Sequence, residues 1–431
     1  MKKVRIALLG LGNVGRGVWK ILQFNQDEIR KRSGYDIEVA KVLVRDMNKA
    51  RGVDIPEELL TTDFNDIIED SSIKIVVEMM GGIEPAKEYM LEAMKKKKHI
   101  VTANKMVLAT EGDQLFETAD KEGVMFYYEA SVAGGIPIIS GINESLTANK
   151  IEQLYGIVNG TTNYILTKMA LDGMEFEEAL EEAKEKGYAE ADPTSDIEGF
   201  DAAYKLAILS SLAFGTKVEF DQVYREGITN ITSEDITYAK EFGYVIKLLA
   251  IVKEINNKLQ LRVHPTFVPA THPLANVYNS FNAIFIKGNA VGDLMLYGRG
   301  AGDLPTGSAV VGDIISILRN NVDLESYLPS VKNNLWHKEF IDMKDVECKY
   351  YIRATVEDKP GVLGELTTMF GKNNVSLRSV IQRGKEQGEE GVSLVLVTHF
   401  TKEENLLNAI DLINIAPYVV KVDNIIRIEN F

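Results

Sequence analysis

The chain has 431 residues, and its 48 basic against 63 acidic side chains give a formal net charge of −15. This length exceeds what one hydrophobic core normally supports, so we expect two or three domains. The acidic balance argues against a nucleic-acid partner or an anionic membrane, because both require a basic face, but it allows a phosphorylated cofactor held by a few local donors.

The first third of the chain alternates between strand and helix patterns. Helices are predicted at residues 12–23 and 86–97, and strands at residues 4–9, 37–44, 75–79, 99–102 and 124–129. Strands that alternate with helices form βαβ units around a parallel sheet. The expected fold class is therefore α/β, with a Rossmann-type domain at residues 1–135.

A glycine motif follows the first strand and opens the first helix; it consists of Gly10, Leu11, Gly12, Asn13, Val14 and Gly15. The first glycine permits a tight turn, the second lets the backbone approach a pyrophosphate, and the third allows close helix–strand packing. The helix N-terminus then offers N–H groups and a positive dipole end to the phosphates. The motif predicts a dinucleotide site; the alternative is a glycine turn with a purely structural role.

The end of the second strand discriminates between NADP and NAD. An acidic residue there binds the ribose 2′-hydroxyl of NAD, whereas an arginine binds the 2′-phosphate of NADP. Arg45 directly follows the predicted strand and favours NADP, with Lys49 as further support. NAD stays the alternative, because Asp46 would read the ribose if Arg45 were a solvated loop residue.

Two further segments carry polar residues where a ligand would bind. Lys105 follows the predicted strand at 99–102, and ligands of open α/β sheets bind at the carboxyl ends of the strands. Residues 156–164 are rich in small polar side chains before a helix, which indicates a loop facing the substrate or the nicotinamide. The alternatives are a surface lysine and a loop that only caps the helix.

The pattern changes after residue 136. Acidic helices are predicted at residues 176–186, 200–213 and 233–252, and strands at residues 259–267 and 283–288. We expect an α+β domain for catalysis and dimerisation at residues 136–297. The following stretch is glycine-rich and then helical, and we expect residues 298–336 to pack back on the first domain.

The most acidic part of this region runs from Glu185 to Lys205. It holds six carboxylates and no basic side chain between Lys186 and Lys205, which indicates a site for a cationic group such as a substrate ammonium. Asp201 and Lys205 lie four apart on a predicted helix and share a face. A nearby carboxylate and desolvation would together tune the lysine for acid–base chemistry. The alternative is an ordinary surface ion pair.

The last segment, residues 348–431, has a pattern of its own and is called the C-terminal module below. Its predicted elements are a strand (350–356), a helix (362–373), two strands (376–382 and 391–398), a helix (402–414) and a strand (419–428). This βαββαβ order is the ferredoxin-like motif. A charged stretch at residues 337–347 separates the module from the preceding region.

Residues 1–330 resemble homoserine dehydrogenase. The resemblance rests on the glycine motif, ANK at 103–105, EASVAGGIP at 129–137, GIVNGTTNYIL at 156–166, GYAEADPTSDIEGFDAAYK at 187–205 and GRGAGDLPTGSAVVGD at 298–313. It implies the reversible NAD(P)H-dependent reduction of L-aspartate 4-semialdehyde to L-homoserine, in the biosynthesis of threonine, methionine and isoleucine.

The resemblance also implies roles for individual residues. Lys205 matches the proton donor, and Lys105 matches a second active-site lysine that neighbours the cofactor. Glu190 and Asp201 match carboxylates that bind the substrate, which agrees with the ammonium site inferred from the acidic run.

Two more ligand positions follow from the same resemblance. Gly187 and Gly302 match positions beside the nicotinamide end of the cofactor. A monovalent cation such as sodium would be held by hard oxygen ligands. By the resemblance these are the carboxylate of Glu129 and the backbone carbonyls of Val132, Gly134 and Ile136.

The C-terminal module resembles an ACT domain at residues 357–363 (EDKPGVL), where its first strand turns into its first helix. The helix N-terminus offers N–H groups to an amino-acid carboxylate. The resemblance implies an amino-acid effector such as threonine and pairing between subunits, and so a homodimer or homotetramer. The alternative is a dimerisation module without an effector.

The single cysteine, Cys348, excludes an internal disulfide and fits a reducing cytoplasm. It lies outside the predicted catalytic region, which argues against a semialdehyde dehydrogenase with a nucleophilic thiol. No apolar stretch approaches the roughly 20 residues that span a bilayer. We expect a cytoplasmic enzyme acting on a small molecule; the alternative from another class is a non-catalytic NAD(P)-sensing protein with the C-terminal module as its output.

Overall fold

The computed structural model describes residues 2–320, 337–383 and 391–431. The chain divides into two compact units. Unit 1 comprises Met1–Glu152, Tyr204–Gln222 and Phe281–His337, and unit 2 comprises Gln153–Ala203, Val223–Ser280 and Lys338–Phe431. Residues 321–336, the end of the segment expected to pack on the first domain, lie outside the described residues.

The N-terminal stretch of unit 1 alternates strands and helices as predicted. Its elements are β1 (Lys2–Leu9), α1 (Asn13–Phe24), α2 (Gln26–Ser33), β2 (Tyr35–Leu43), β3 (Leu60–Thr61), α3 (Asn65–Ile68), β4 (Ile73–Glu78), α4 (Ala86–Lys95), β5 (His99–Thr102), α5 (Lys105–Glu122), β6 (Phe126–Tyr127) and α6 (Ile138–Ser140). The six strands are parallel, in the order β3-β2-β1-β4-β5-β6. This is the strand order of dinucleotide-binding Rossmann domains, so the expected fold class is confirmed.

The middle of the chain mixes helices with longer strands. Its elements are β7 (Ile151–Ile157), α7 (Gly160–Asp172), α8 (Phe176–Glu185), α9 (Thr194–Ile197), α10 (Phe200–Phe214), β8 (Tyr224–Arg225), α11 (Ser233–Glu241), β9 (Tyr244–Ile255), β10 (Lys258–Pro269), β11 (Phe281–Gly288), β12 (Gly292–Arg299) and α12 (Asp303–Asn320). In unit 1, β11 and β12 form an antiparallel hairpin.

Helices α1 and α12 of unit 1 are packed at very short range. A Cβ atom on Gly17 of α1 would lie 1.8 Å from the carbonyl oxygen of Asp303, and one on Gly307 of α12 would lie 2.7 Å from the carbonyl carbon of Gly17. Glycine is therefore required at both positions for this approach of the two backbones. Buried side chains of both helices belong to the same core as those of β1 and β2.

The C-terminal module has the predicted βαββαβ arrangement. The elements after residue 337 are β13 (Glu339–Phe340), β14 (Glu347–Val356), α13 (Val362–Lys372), β15 (Leu377–Gln382), β16 (Val392–Thr398), β17 (Thr401–Lys402), α14 (Glu403–Asn414) and β18 (Val419–Ile428). The strands are ordered β18-β14-β16-β15, in which the last strand lies beside the first. The ferredoxin-like prediction is confirmed.

The sheet of the module continues into the rest of unit 2, where the strand order is β7-β9-β10-β18-β14-β16-β15. β10 pairs along its whole length with β9 on one side. On the other side it pairs in succession with β13, β8 and the end of β18, each in parallel. The C-terminal module is thus joined to β10 by backbone hydrogen bonds.

Two predicted elements differ from the structure. The helix expected at residues 233–252 ends at Glu241, and β9 follows it. Gly243 has a φ of +78°, which a helix interior does not allow, and the apolar run that follows is buried on both faces between β7 and β10. The strand expected at residues 124–129 is reduced to β6, because Glu129–Ser131 forms a 3₁₀ turn.

Short turns of helix complete the described chain. They are 3₁₀ turns at Glu57–Leu59, Phe220–Gln222, Pro273–Asn276 and Met343–Asp345 and a π-helical turn at Gly141–Ser145. Among the described helices, none is both long and apolar enough to cross a membrane.

Candidate active site

The glycine motif of unit 1 forms a tight turn into α1. Gly10 has a φ of +96°, which side-chain-bearing residues rarely adopt. A Cβ atom on Gly15 would lie 2.4 Å from the carbonyl oxygen of Gly10, so helix and turn touch. Gly12 caps α1 without a side-chain hydrogen bond, and a Cβ atom on it would meet nothing within 4 Å. The first turn of α1 therefore has its N–H groups at an open face.

A cleft of about 590 Å³ lies in front of this turn. Gly10, Leu11, Gly12 and Asn13 line it, whereas Val14 packs against the core. The basic residues that line the cleft are Arg16, Arg45, Lys49 and Arg51. A helix N-terminus beside several cations fits a pyrophosphate and a further phosphate, so the residues present fit a dinucleotide.

Asp46, the residue that would read the ribose of NAD, also lines the cleft. Its carboxylate accepts a hydrogen bond from the backbone N–H of Asn48 at 2.8 Å and so closes a local turn. Arg45 is exposed beside it. The local turn gives Asp46 a structural role, while Arg45 lines the cleft.

Lys105 is the first residue of α5 and is half-buried, at the carboxyl end of β5 as predicted. Asn104 caps this helix by accepting from the backbone N–H of Val107 at 3.3 Å. Beside it the hydroxyl of Thr102 donates to the carboxylate of Glu78 at 2.6 Å, and burial raises the pKa of Glu78. Sequence reasoning missed Glu78, because it lies at the end of the apolar run that forms β4.

The four predicted cation ligands, Glu129, Val132, Gly134 and Ile136, are all buried in unit 1. The two carboxylate oxygens of Glu129 accept backbone N–H groups of Ile139 and Ser140, each at 2.8 Å. The carbonyl of Ile136 accepts the N–H of Ile138 at 2.8 Å. These oxygens keep further lone pairs, so the donor set fits a weakly bound monovalent cation.

A second carboxylate lies against Glu129. The backbone N–H of Glu129 donates to Asp313 of α12 at 2.9 Å. Burial and the charge of Glu129 raise the pKa of Asp313 well above its ordinary value. Sequence reasoning missed Asp313, because nothing in the linear chain relates it to residue 129.

Asn159 organises the polar loop of unit 2. Its side-chain oxygen accepts the backbone N–H of Thr162 at 2.8 Å and caps α7. Its amide nitrogen donates to Asp196 at 2.6 Å and to Asp201 at 2.8 Å. The side-chain oxygen of Asn159 therefore has the capping role of the alternative reading. Its amide nitrogen in addition orients two carboxylates of the acidic run. Sequence reasoning singled out the loop but not this residue.

Two other carboxylates of the acidic run accept hydrogen bonds from threonines, one of them within a local turn. Asp192 accepts the backbone N–H and the hydroxyl of Thr194 at 3.1 and 2.6 Å, which lowers the pKa of Asp192. Glu198 accepts the hydroxyl of Thr229 at 3.2 Å. Glu190 is exposed in the turn after α8, close to Gly187, whose φ is +73°. Turn formation thus explains part of the acidic run.

Asp201 and Lys205 are both carried by α10 and are only 3% and 9% exposed. The division into units falls within this helix, between Ala203 and Tyr204. Because residues four apart lie on one helix face, α10 aligns the carboxylate and the amine. Their burial rules out the alternative of a surface ion pair.

Gly302 lies between β12 and α12 in unit 1 and has a φ of +126°. A Cβ atom on it would lie 3.2 Å from the ring of Pro305. Gly302 and Gly187 thus both have a positive φ, which favours glycine, and both lie in turns next to a helix end.

A buried lysine in unit 2 was missed by sequence reasoning. Lys247 of β9 donates to the side chain of Asn163 at 3.0 Å and to the carbonyl of Val277 at 2.5 Å. Burial lowers its pKa to about 7. Asn163 belongs to α7, the helix that Asn159 caps. Lys247 escaped notice because it lies within the apolar run that was assigned to a helix.

Comparisons with known protein families match most of the chain. The family model described as homoserine dehydrogenase matches residues 137–315, and the model described as homoserine dehydrogenase, NAD binding domain, matches residues 10–129. The model described as ACT domain matches residues 350–417. The three matches follow one another along the chain without overlap.

Individual relatives match over the full length. Homoserine dehydrogenase of Bacillus subtilis is 41% identical, and the match covers 100% of this chain and 99% of the relative. The crystal structure of a homoserine dehydrogenase from Thiobacillus denitrificans has a TM-score of 0.93 and 43% identity, and covers 100% of this chain and 99% of its own. A hyperthermophilic archaeal homoserine dehydrogenase in complex with NADPH has a TM-score of 0.63 and 29% identity. The match covers 75% of this chain and 100% of that relative.

Proposed function

The chain belongs to the homoserine dehydrogenase family of NAD(P)-dependent oxidoreductases, and from this premise we propose that it interconverts L-aspartate 4-semialdehyde and L-homoserine. The observation that carries the proposal is the buried pair on α10. Asp201 and Lys205 lie on one helix face, and Asn159 holds the carboxylate of Asp201 at 2.8 Å. A fixed carboxylate suits a substrate ammonium, and a buried amine suits proton transfer to an alkoxide.

Each charged residue has one role in this proposal. The reduced nicotinamide supplies the hydride to the aldehyde carbon. Glu190 and Asp201 bind the substrate ammonium and so orient the aldehyde. Lys205 donates a proton to the forming alkoxide oxygen, and Lys105 stabilises the negative charge that develops there. In the reverse direction neutral Lys205 accepts the proton of the homoserine hydroxyl, so oxidation rises with pH.

NADP is the proposed cofactor, with NAD as the alternative. Support comes from the cleft in front of α1, where four basic residues including Arg45 meet a single acidic one, Asp46. The carboxylate of Asp46 is engaged by Asn48. The archaeal relative, whose solved structure is a complex with NADPH, agrees with this preference. Gly187 and Gly302 are proposed to lie beside the nicotinamide.

The proposed organisation follows the sequence-based boundaries. Residues 1–135, with 298–336, bind the cofactor, and residues 136–297 bind the substrate and form the dimer. Residues 348–431 bind an amino-acid effector such as threonine. We further propose a monovalent cation such as sodium at Glu129 and the carbonyls that follow it, a homodimer or homotetramer, and a cytoplasmic location.

Steady-state kinetics test the proposal. NADPH oxidation, followed by absorbance, is measured with L-aspartate 4-semialdehyde, then with NADH in place of NADPH, and with and without threonine. We expect turnover that depends on the semialdehyde, a lower KM for NADPH than for NADH, and inhibition by threonine. Cofactor binding without any turnover would instead indicate a non-catalytic NAD(P)-sensing protein.

A further inference from the structure

The segment at residues 224–229 of unit 2 has two chemically different sides. It begins with β8, and the backbone N–H of Glu226 extends the pairing by donating to a carbonyl of β10 at 2.8 Å. Successive side chains of an extended segment point to opposite sides. Tyr224 and Glu226 therefore lie on one side, and Arg225 and Gly227 on the other.

The first side contacts Arg427, in the last strand of the C-terminal module. The guanidinium of Arg427 donates to both carboxylate oxygens of Glu226 at 2.8 and 3.0 Å, and to the hydroxyl of Tyr224 at 3.0 Å. A second carboxylate, that of Glu403 in α14, also pairs with Arg427. Arg427 is 4% exposed and Glu226 is 38% exposed. The module thus presents a fixed positive charge to this segment.

The second side contacts the turn that precedes α10. The guanidinium of Arg225 stacks on the ring of Phe200, with its central carbon 3.5 Å from the ring centroid. The same guanidinium donates to the carbonyl of Glu198 at 2.9 Å. Phe200 immediately precedes Asp201, so Arg225 packs one residue away from the proposed ammonium ligand.

The backbones of the segment and the turn are in direct contact. The N–H of Ile228 donates to the carbonyl of Ile197 at 2.8 Å. A Cβ atom on Gly227 would lie 2.4 Å from that same carbonyl oxygen, and one on Gly199 would lie 3.3 Å from the carbonyl oxygen of Glu226. A displacement of the segment by a fraction of an ångström must therefore move the turn, because packed backbones do not compress.

We infer that Arg427 and Glu226 are positioning residues for Asp201. Their ion pair holds the segment 224–229 against residues 197–200, the turn that connects Asp196 to Asp201. The inference rests on the proposed role of Asp201 as an ammonium ligand, and it adds a physical connection from the C-terminal module to that ligand. A change in the module that shifts Arg427 therefore also displaces Asp201, because the two residues are connected through these contacts.

The test compares two carboxylates that each pair with a buried arginine of the module. Glu226→Gln weakens the pair with Arg427, which keeps Glu403 as a partner. The matched control is Glu234→Gln, since Glu234 is 43% exposed and pairs with buried Arg353 at 2.8 Å, but belongs to α11. In the full chain we expect Glu226→Gln to raise the KM for L-aspartate 4-semialdehyde roughly 3- to 10-fold. The KM for NADPH and the melting temperature stay as in the unchanged chain.

Rescue separates positioning from general damage. Glu226→Asp restores the charge on a shorter side chain, so its KM for the semialdehyde falls between those of the unchanged chain and Glu226→Gln. Hydrogen–deuterium exchange gives a readout that does not depend on turnover. The N–H of Ile228 and that of Gly199 exchange faster in Glu226→Gln than in Glu234→Gln; the Gly199 N–H donates to the backbone carbonyl of Asp196 at 3.0 Å.

Three outcomes overturn the inference: an unchanged KM in Glu226→Gln, an equal rise in both Gln variants, or equal exchange at the two amides. If Glu226→Gln does not fold, the same comparison is made with Glu226→Asp. If the unchanged chain shows no turnover, the proposed function fails, and the exchange data still decide whether Glu226 holds the turn.

Discussion

Lys205 combines burial with a position one helical turn from Asp201, and both features support its proposed role as the proton donor. Replacing it by alanine removes the proposed proton donor, so we expect kcat to fall by roughly 10²- to 10⁴-fold with the fold retained. Lys217→Ala is the matched control, because Lys217 is 51% exposed and pairs with Asp113 and Glu219 at the surface of unit 1. Near-normal turnover in Lys205→Ala would contradict the assignment.

Lys247 gives a prediction on stability. Its pKa is about 7 in the folded chain because of burial, whereas an unfolded lysine titrates near its ordinary value of about 10.4. Between these values the unfolded chain binds one more proton than the folded chain, so stability rises with pH. Relative to Lys247→Met, the unchanged chain should gain roughly 1 to 3 kcal/mol in unfolding free energy between pH about 7 and about 9.

Denaturant unfolding at several pH values measures this difference. The comparison uses the slope with pH, since the methionine variant also loses the hydrogen bonds to Asn163 and Val277. Parallel pH profiles for the two chains would show that Lys247 keeps its proton in the folded state.

At the residue scale, the sequence predicted features that depend on residues close together in the chain. The glycine motif and the shared helix face of residues 201 and 205 depend on neighbours in the chain, so the sequence predicted both. Asn159 gathers Asp196 and Asp201 from about forty positions away, so only the folded backbone brings these groups to hydrogen-bonding distance. The same holds for Glu129 and Asp313.

At the scale of elements, the contact of α1 with α12 in unit 1 depends on glycine in both helices. Gly307→Ala places a Cβ atom against the backbone of Gly17, so we expect a loss of roughly 1 to 3 kcal/mol and a raised KM for NADPH, as the start of α1 moves. Gly312→Ala, in the same helix, meets nothing within 4 Å and should stabilise by roughly 0.5 to 1 kcal/mol. Thermal melts and cofactor titrations of both variants provide the comparison, and similar melting temperatures would refute it.

The prediction of secondary structure failed where the spacing of apolar residues did not distinguish a helix from a strand. The apolar run of β9 is buried on both faces, so it lacks the alternation that marks a half-exposed strand and reads as part of the helix before it. Gly243 was the available signal for the end of α11. Where strands alternated with helices, as at β1, β4 and β5, the predicted bounds were close to the observed ones.

At the scale of the molecule, the C-terminal module is joined to the rest of unit 2 by the pairing of β18 with β10 and by buried ion pairs. Glu429, directly after β18, pairs with buried Arg262 at 2.6 Å and also with Lys253. Deleting residues 341–431 leaves these buried cations unpaired and an edge of β10 uncovered. We therefore expect unit 2 of the truncated chain to lose its cooperative unfolding transition, rather than a deregulated enzyme.

A point variant separates the loss of the buried ion pairs from the loss of the strand pairing. Glu429→Gln in the full chain keeps the strand pairing and should cost roughly 3 to 5 kcal/mol, because a buried charge loses its partner. Calorimetry of the truncated chain and of this variant measures the melting temperature and the cooperativity of unfolding of each. A truncated chain that melts cooperatively at the temperature of the full chain would mean that the module is an independent domain.

The sequence by itself determined the fold class, the succession of βαβ units along the chain, the ferredoxin-like module and the family, because these depend on local periodicity and on motifs contiguous in the chain. The tertiary structure alone decided that Asn159 orients Asp201, that β18 extends the sheet of β10, and that residues 224–229 lie between Arg427 and the turn before α10. These contacts join segments far apart in sequence, and short-range patterns carry no information about which distant groups the backbone brings together.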